Sequence, residues 1–225
     1  MSQKDSVNIN LILFTIIMLA LKNITKSFNK TKVIDNLSLE INRGHRIAIL
    51  GSNGCGKSTL LKIILGLLKP DSGLINKEDI LIGYASQNSR SFYMRLTAHD
   101  NLLFFSSIYA KRKSKIIESR INGYANHLNI SNLLSKKMFD LSKGEMQKIM
   151  FLRSLINDPE LILFDEAFVN IDQQSKELFS EFLNNKLKPT QSVLWVTHDK
   201  KEAFNICDKY INLNDKSEIL RKCHE

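Results

Sequence analysis

The spacing of apolar and polar residues divides the chain into two kinds of predicted strand. Between residues 19 and about 40, short apolar segments alternate with polar turns, which is typical of antiparallel strands with one buried face. A turn at residues 29–32 would join two of them into a hairpin. Later apolar runs are short and continuous, as in the buried strands of a parallel sheet. They lie at Arg46–Leu50, 161–164 and 192–197.

Apolar residues at helical spacing occupy much of the remaining chain. Residues 60–68 predict a helix that begins in a glycine-rich loop and is stopped by the Pro-Asp-Ser-Gly sequence at 70–73. A short strand-like stretch covers 74–85. Further helical patterns lie at 98–134, 145–155 and 175–187. Buried strands that alternate with helices predict an α/β fold with a parallel sheet covered on both faces, and residues 90–155 predict an inserted helical subdomain.

Composition limits the class of protein without naming its function. A chain of 225 residues with 43% hydrophobic residues can bury one sizeable core. The three cysteines are far apart, which indicates neither a zinc site nor a disulfide framework. The net charge of +9 fits a lysine-rich solvated surface, although nucleic acid or an anionic membrane would also suit it. Basic residues form one cluster, at 111–113, and no aromatic stacking platform accompanies it.

The first residues do not resemble the start of a cytosolic domain. An apolar run at 11–21 is too short to span a bilayer, which needs about 20 residues, and no clear signal-peptide cleavage site follows. Because the sequence from Met18 onward has the pattern of a first strand, we expect translation to start at Met18, and we assign residues 1–18 to an N-terminal extension. A short membrane-surface anchor is the alternative.

A phosphate-binding loop is the strongest chemical signal. Residues 51–58 match G-x-x-x-x-G-K-[ST] between a predicted strand and a predicted helix. Glycines let backbone N–H groups surround phosphate oxygens, and the helix N-terminus adds a positive potential. Lys57 supplies charge to the β- and γ-phosphates, Ser58 a hydroxyl to Mg²⁺, and Thr59 reaches the α-phosphate. The predicted ATP-binding residues are Gly51, Ser52, Asn53, Gly54, Cys55, Gly56, Lys57, Ser58 and Thr59. The side chain of Cys55 has no predicted role.

Two further segments carry candidate chemistry. The strand at 161–164 delivers Asp165 and Glu166 at its end, where Asp165 can hold Mg²⁺ and Glu166 can act as general base for water. Ser142 precedes a predicted helix and, together with the backbone of Gly144, could bind a phosphate there. The alternative is a plain N-cap with Glu145 completing a capping box, and Ser142 can serve both purposes.

These motifs, in this order and spacing, resemble the ATP-binding-cassette (ABC) family, and the resemblance covers residues 19 to about 213. It implies a P-loop NTPase core with a mostly parallel sheet, a small N-terminal antiparallel β subdomain and the inserted helical subdomain, all within one ABC ATPase domain at 19–225. It adds a glutamine loop at Gln87, a D-loop at Asp172, a switch histidine at His198 and an adenine-stacking aromatic at Phe28.

The resemblance also assigns roles. Two cassettes would dimerise head-to-tail, as a homodimer or as a heterodimer with a sibling subunit. Each ATP would be held by the phosphate loop of one and by Ser142, Lys143, Gly144 and Glu145 of the other. Ser58, Gln87 and Asp165 would hold Mg²⁺, and Gln87 would also contact the attacking water. His198 would contact the γ-phosphate and orient Glu166, and Asp172 would cross the interface. Lys57, Gln87, Glu166 and His198 form the implied catalytic set.

The sequence departs from the family at the signature, which usually reads Leu-Ser-Gly-Gly-Gln. Lys143 replaces the first glycine and Glu145 replaces the glutamine, and Ala167 stands where proline is common. Lys143 adds a positive charge near the γ-phosphate or points to solvent, whereas Glu145 adds a negative one. Hydrolysis could therefore be slower or depend on a partner. Because Glu166 is intact, we still expect a competent ATPase.

The resemblance implies a cytoplasmic subunit, peripheral on the membrane, that works with separate integral membrane permease subunits. The segment at 91–94 is a candidate docking patch for a short permease helix, with burial in the subdomain as the alternative. Residues 96–105 resemble cassettes of exporters, so the sequence favours export. Two alternatives stay open: a non-transport ABC ATPase acting on nucleic acid or translation, which we do not expect, and a weakly hydrolysing regulatory module. The cargo is not encoded here.

Overall fold

The computed structural model describes most of the chain. The residues described are 17–87, 91–108, 114–198, 201, 203, 205–214 and 221–222. The apolar segment before Ile17, the basic cluster at 111–113 and Asp199, next to the predicted switch histidine, lie outside the described residues.

A small antiparallel sheet begins the described part of the chain. It consists of β1 (Ile17–Phe28), β2 (Thr31–Asn42) and β4 (Ser72–Lys77), in the order β2-β1-β4. Asn29 and Lys30 connect β1 to β2 with φ angles of 47° and 68°, as a two-residue turn of the type that suits the twist of a hairpin requires. The predicted hairpin is confirmed.

The larger sheet is parallel except at one edge. Its strands are β3 (Arg46–Leu50), β5 (Ile82–Ser86), β6 (Leu161–Asp165), β7 (Ser192–Val196), β8 (Lys209–Asn212) and β9 (Arg221–Lys222). Their order is β5-β6-β7-β3-β8-β9, and β9 alone among these strands runs antiparallel to its neighbour. The carboxyl ends of β3, β5, β6 and β7 therefore meet at one edge, which is where ligands bind in open α/β sheets.

Helices cover both faces of this sheet, as predicted. They are α1 (Lys57–Ile64), α2 (Ala98–Ile108), α3 (Ser114–His127), α4 (Lys143–Leu155) and α5 (Gln173–Lys186). Alternate residues of β6 divide between the two cores. Leu161 and Leu163 belong to the core that contains α1 and the antiparallel sheet, whereas Ile162 and Phe164 belong to the core that contains α4 and α5.

Aromatic side chains fill the second core. Phe151 of α4 stacks on Phe179 of α5, with ring centroids 4.2 Å apart. Trp195 of β7 packs edge-to-face on Phe164 and Phe168, at 5.5 Å and 4.5 Å. Phe168 lies two residues beyond Glu166, so the segment after β6 is held against the sheet by ring contacts that add stability beyond their buried area.

Two of the differences from the sequence-based prediction lie between β3 and β6. Helix α1 ends at Ile64 and not at residue 68, because Gly66 adopts a φ of 75°. The N–H of Gly66 donates to the carbonyl of Ile63, and the N–H of Leu67 donates to the carbonyl of Lys62. This is a Schellman motif, which ends a helix at a glycine. The stretch predicted as one strand-like segment at 74–85 supplies parts of β4 and β5, which lie in different sheets.

Candidate functional site

The loop between β3 and α1 is a tight turn that depends on glycines with positive φ angles. Gly54 and Gly56 have φ angles of 83° and 107°, and a Cβ on Gly56 would lie 2.8 Å from the carbonyl oxygen of Val33, so a side chain there would force the backbone apart. Lys57 is 6% exposed. Its Nζ donates to the carbonyls of Gly51 and Ser52, at 2.8 and 2.9 Å, which holds the ammonium group across the loop.

The first turn of α1 meets the end of β6. The hydroxyl of Ser58 donates to Oδ1 of Asp165 at 3.3 Å, and the Tyr84 hydroxyl lies 3.4 Å from Oδ2. Burial raises the pKa of Asp165, and the adjacent Glu166 carboxylate raises it further, although the bond from Ser58 opposes both. A partly buried carboxylate beside a hydroxyl is the hard oxygen donor set that Mg²⁺ prefers, and a cation there would offset the cost of keeping Asp165 ionised. Ser58 and Asp165 therefore fit Mg²⁺.

Glu166 is held in a backbone conformation that is rare for its residue type. Its φ is 52°, in the left-handed region, where non-glycine residues are uncommon and tend to cluster at functional sites. The N–H of Glu166 donates to the carbonyl of Val196 in β7, at 2.9 Å. Oε1 of Glu166 lies 3.6 Å from Nδ1 of His198. The structure thus brings together the acid and the histidine that the sequence placed at the ends of two strands.

One open cleft of approximately 990 Å³ lies between the phosphate loop, the end of β6 and α4. The lining residues include the phosphate loop, the acid pair, Gln87, and Lys143 with Gln147 from α4. Gln87 is exposed, and its N–H donates to the Asp165 carbonyl at 3.1 Å. Gln147, which the sequence did not single out, is 3% exposed and donates from Nε2 to the carbonyl of Ser86 at 3.0 Å. It joins α4 to the strand end that carries Gln87.

The signature segment forms the N-terminus of α4. Ser142 is the N-cap: its hydroxyl accepts from the Glu145 N–H at 3.2 Å, and its own N–H donates to the Glu145 carboxylate at 2.8 Å. The predicted capping box is confirmed. The bond from the Ser142 backbone lowers the pKa of Glu145, and Lys136 lowers it further. A Cβ on Gly144 would lie 2.5 Å from the carbonyl oxygen of Asn170, so α4 approaches this backbone closely.

Several predicted site residues are not among those that line the cleft, namely Phe28, Gly51, Ser52, Cys55, Ser142, Gly144, Glu145, Asp172 and His198. Asp172 is the N-cap of α5, accepts from the N–H and hydroxyl of Ser175 at 2.9 Å each, and pairs with Lys148 at 2.7 Å. The bonds from Lys148 and then Ser175 hold its pKa well below the usual range. Phe28 is 46% exposed at the end of β1, and Lys26 Nζ lies over its ring, 5.6 Å from the centroid.

The sequence also missed a support for the phosphate loop. Oδ1 of Asn214, in the turn after β8, accepts from the N–H and the hydroxyl of Ser52 at 3.2 and 3.0 Å. A side chain 162 residues away therefore fixes the start of the loop. Since β8 pairs with β3, the strand pairing brings Asn214 to Gly51.

The candidate docking segment at 91–94 is divided between core and surface. Phe92 is 6% exposed, whereas Tyr93 and Met94 are 50% and 39% exposed. Tyr93 packs edge-to-face on Phe104, at 4.8 Å, and Phe104 is itself 41% exposed. Beneath them the Arg153 guanidinium lies between Phe92 and Phe105, 4.5 and 4.4 Å from their ring centroids. We call Tyr93, Met94 and Phe104 the aromatic patch.

No helix within the described residues is both long and apolar enough to cross a membrane. Two relatives match most of the chain. The ABC transporter ATP-binding protein NatA of Bacillus subtilis is 30% identical over 84% of this chain and 81% of its own. The zinc import ATP-binding protein ZnuC of Buchnera aphidicola is 35% identical over 88% of this chain and 82% of its own.

Solved structures of ATP-binding cassette proteins also resemble this chain. An ATP-binding cassette solved as a dimer in a post-hydrolysis state with ADP and phosphate superposes with a TM-score of 0.78 at 25% identity, covering 92% of this chain and all of the other. An inward-facing metal-chelate type ABC transporter superposes at 0.77 and 25% identity, over 92% of this chain and 84% of the other. The family model described as ABC transporter matches residues 34–169. The chain belongs to the ABC transporter family, as an ATP-binding subunit with the ATPase fold that binds ATP and Mg²⁺.

Proposed function

We propose that two copies of this chain close around two ATP molecules, hydrolyse them, and drive a membrane transporter through separate permease subunits. The observation that carries the proposal is the meeting of the phosphate loop, the acid pair and His198 at one sheet edge, with Ser58 3.3 Å from Asp165 and Glu166 3.6 Å from His198. Subunits of this family dimerise and associate with permeases.

The geometry supports a separate role for each residue in ATP binding and hydrolysis. Lys57 and the N-terminus of α1 would hold the phosphates, and Ser58 with Asp165 would hold Mg²⁺, which supplies charge neutralisation at the phosphate oxygens. Glu166 accepts the proton of the attacking water. His198, at 3.6 Å, fixes the orientation of that carboxylate, and Gln87 extends into the same cleft. In this arrangement Ser142 and its neighbours complete the site of the second copy.

Replacement of Glu166 tests the hydrolytic step. Glu166→Gln removes the base but keeps the size of the side chain, so we expect turnover to fall by about 10²- to 10⁴-fold while Mg-ATP converts the protein from monomer to dimer in sedimentation experiments. Glu181→Gln, an exposed glutamate on α5, is the matched control. Unchanged turnover in Glu166→Gln would refute the assignment of the base.

The aromatic patch is the surface that we propose for the permease. Its two rings contact Phe105, and the Arg153 guanidinium lies over Phe105. Arg153 is also among the residues that line the cleft, so movement in the cleft can reach the patch through these contacts. Tyr93→Ser together with Phe104→Ser should abolish co-purification of a membrane protein with the tagged chain from native membranes and should leave ATP binding unchanged. Retained co-purification would place the docking surface elsewhere.

The direction of transport does not follow from the relatives. The sequence favours export, but relatives of similar identity include a zinc importer and the Fe(3+) ions import ATP-binding protein FbpC of Haemophilus influenzae, so export is unsupported. We assign direction and cargo to the permease. ATPase assays with added DNA or RNA test the nucleic-acid alternative, because stimulation by nucleic acid and not by the co-purified membrane protein would overturn the transport proposal.

A further inference from the structure

The two charged residues in the signature segment stand at the N-terminus of α4. Ser142 is the N-cap, and the Glu145 carboxylate accepts its backbone N–H at 2.8 Å. A helix N-terminus carries a positive potential that favours anions. In this chain a carboxylate of the protein itself already lies in that potential.

A phosphate that approaches Ser142 would meet the charge of Glu145. The carboxylate is only partly neutralised, since Lys136 Nζ lies 3.3 Å from its Oε1 and the side chain of Glu145 is 28% exposed. Two anions near one helix end repel each other, and water and salt reduce this repulsion without removing it. Glu145 therefore weakens the attraction of α4 for phosphate.

Lys143 supplies the opposite charge two residues before Glu145. Lys143 is among the residues that line the cleft of its own chain, with Gln147 and Asn170, and in the proposed dimer this end of α4 would face the ATP of the second copy. The neighbouring Gly144 cannot carry a side chain, because its Cβ would lie 2.5 Å from the Asn170 carbonyl oxygen, whereas position 143 accommodates one. The structure thus allows a cation at the first glycine of the signature and excludes one at the second.

We propose that Lys143 and Glu145 are an opposed charge pair that sets how strongly ATP closes the dimer: Glu145 weakens the hold of the signature segment on the terminal phosphate, and Lys143 strengthens it. The inference rests on the proposed function, in which this segment meets ATP bound to the second copy. It assigns to this chain a tuning device that the neutral Gly and Gln of the usual signature cannot provide.

The test uses the ATP concentration for half-maximal dimerisation, measured by sedimentation in the Glu166→Gln background. Glutamine serves in a capping box as glutamate does, so Glu145→Gln removes the charge and keeps the helix cap. We expect Glu145→Gln to lower the required ATP concentration about three- to tenfold and Lys143→Gly to raise it by a similar factor. Glu118→Gln, an exposed glutamate of the same subdomain, should change nothing.

Salt separates an electrostatic effect from a structural one. Raising the ionic strength from about 0.1 M to about 1 M shortens the screening length from about 10 Å to about 3 Å, so both effects should shrink towards the value of the control. If Glu145→Gln and Glu118→Gln dimerise at the same ATP concentration, the inference is overturned and the proposed function stands. If the Glu166→Gln parent forms no ATP-dependent dimer, the proposed function fails and takes the inference with it.

Discussion

Asp172 has two structural roles that substitutions can separate. It caps α5, accepting from the N–H and hydroxyl of Ser175 at 2.9 Å each, and it pairs with Lys148 at 2.7 Å. Both contacts are made from the segment that joins β6 to α5, a few residues after Glu166. The cap fixes the start of α5, while the ion pair ties it to α4.

The loss of unfolding free energy on removing each contact follows from the usual magnitudes for helix caps and exposed ion pairs. Loss of an N-cap side chain costs about 1 kcal/mol. The ion pair contributes about 0.5 kcal/mol, because the Asp172 side chain is 56% exposed and the surrounding water screens it. Asp172→Ala should therefore lower the free energy of unfolding by about 1.5 kcal/mol. For a domain of this size, each 1 kcal/mol shifts the melting temperature by about 2–4 °C, which gives a decrease of about 3–6 °C.

Urea unfolding of three variants tests how the stabilising effect of Asp172 divides between the helix cap and the ion pair. Asn caps helices as well as Asp does, so Asp172→Asn should lose only the ion pair and cost about 0.5 kcal/mol. Lys148→Met should cost about the same, because it removes the same ion pair from the other side. If Asp172→Asn destabilises the protein as much as Asp172→Ala does, the ion pair dominates and the reasoning from the cap is wrong.

The stability difference between the native protein and Asp172→Asn should depend on pH with a defined sign. The pKa of Asp172 is lower in the folded than in the unfolded protein, so its charge stabilises the fold above the unfolded pKa of about 3.9. The stability difference between the native protein and Asp172→Asn should be constant above about pH 5 and should shrink as the pH falls below about 4. A difference that shrinks at higher pH would contradict this assignment.

Three further predictions concern the binding of ATP. Asn214→Ala removes both bonds to Ser52 and should weaken ATP binding about fivefold, equivalent to about 1 kcal/mol, by calorimetry; unchanged affinity would mean that the loop holds its shape alone. Phe28→Ala should weaken ATP binding about tenfold, through lost stacking, and leave the binding of inorganic triphosphate, which has no base, unchanged. Because burial raises the pKa of Asp165, the gain in ATP affinity from Mg²⁺ over EDTA should begin to fall, as the pH is lowered, above the range in which an ordinary aspartate titrates; a gain that stays constant down to that range would contradict this assignment.

The phosphate loop and the acid strand were predictable because local sequence determines them. Glycines permit the positive φ angles of the loop, and a short apolar run ending in Asp165 and Glu166 marks a buried strand and its carboxyl end. Parallel pairing then places both at one sheet edge. The capping box of Ser142 and Glu145 is equally local, since both partners lie within one helical turn.

What the sequence did not predict depends on contacts between distant residues. Strand β8 (Lys209–Asn212) is short and half polar, and its pairing with β3 brings Asn214 to Ser52. Gln147 has the residue type of a surface position and is buried because the end of β5 covers it. Gly66 ends α1 although apolar residues continue past it, and Leu67 is 74% exposed. An isolated glycine was a weaker stop signal than the Pro-Asp-Ser-Gly sequence after it.

The packing of Trp195 provides an optical reporter within the protein. It is the single tryptophan of the chain, so intrinsic emission excited at the indole band comes from one known place. The indole is fully buried and touches Phe168, which lies between Glu166 and Asp172. Any rearrangement of that segment when nucleotide binds will alter the surroundings of the indole. Stopped-flow fluorescence of the unlabelled protein can therefore time the closing and opening of the cassette directly.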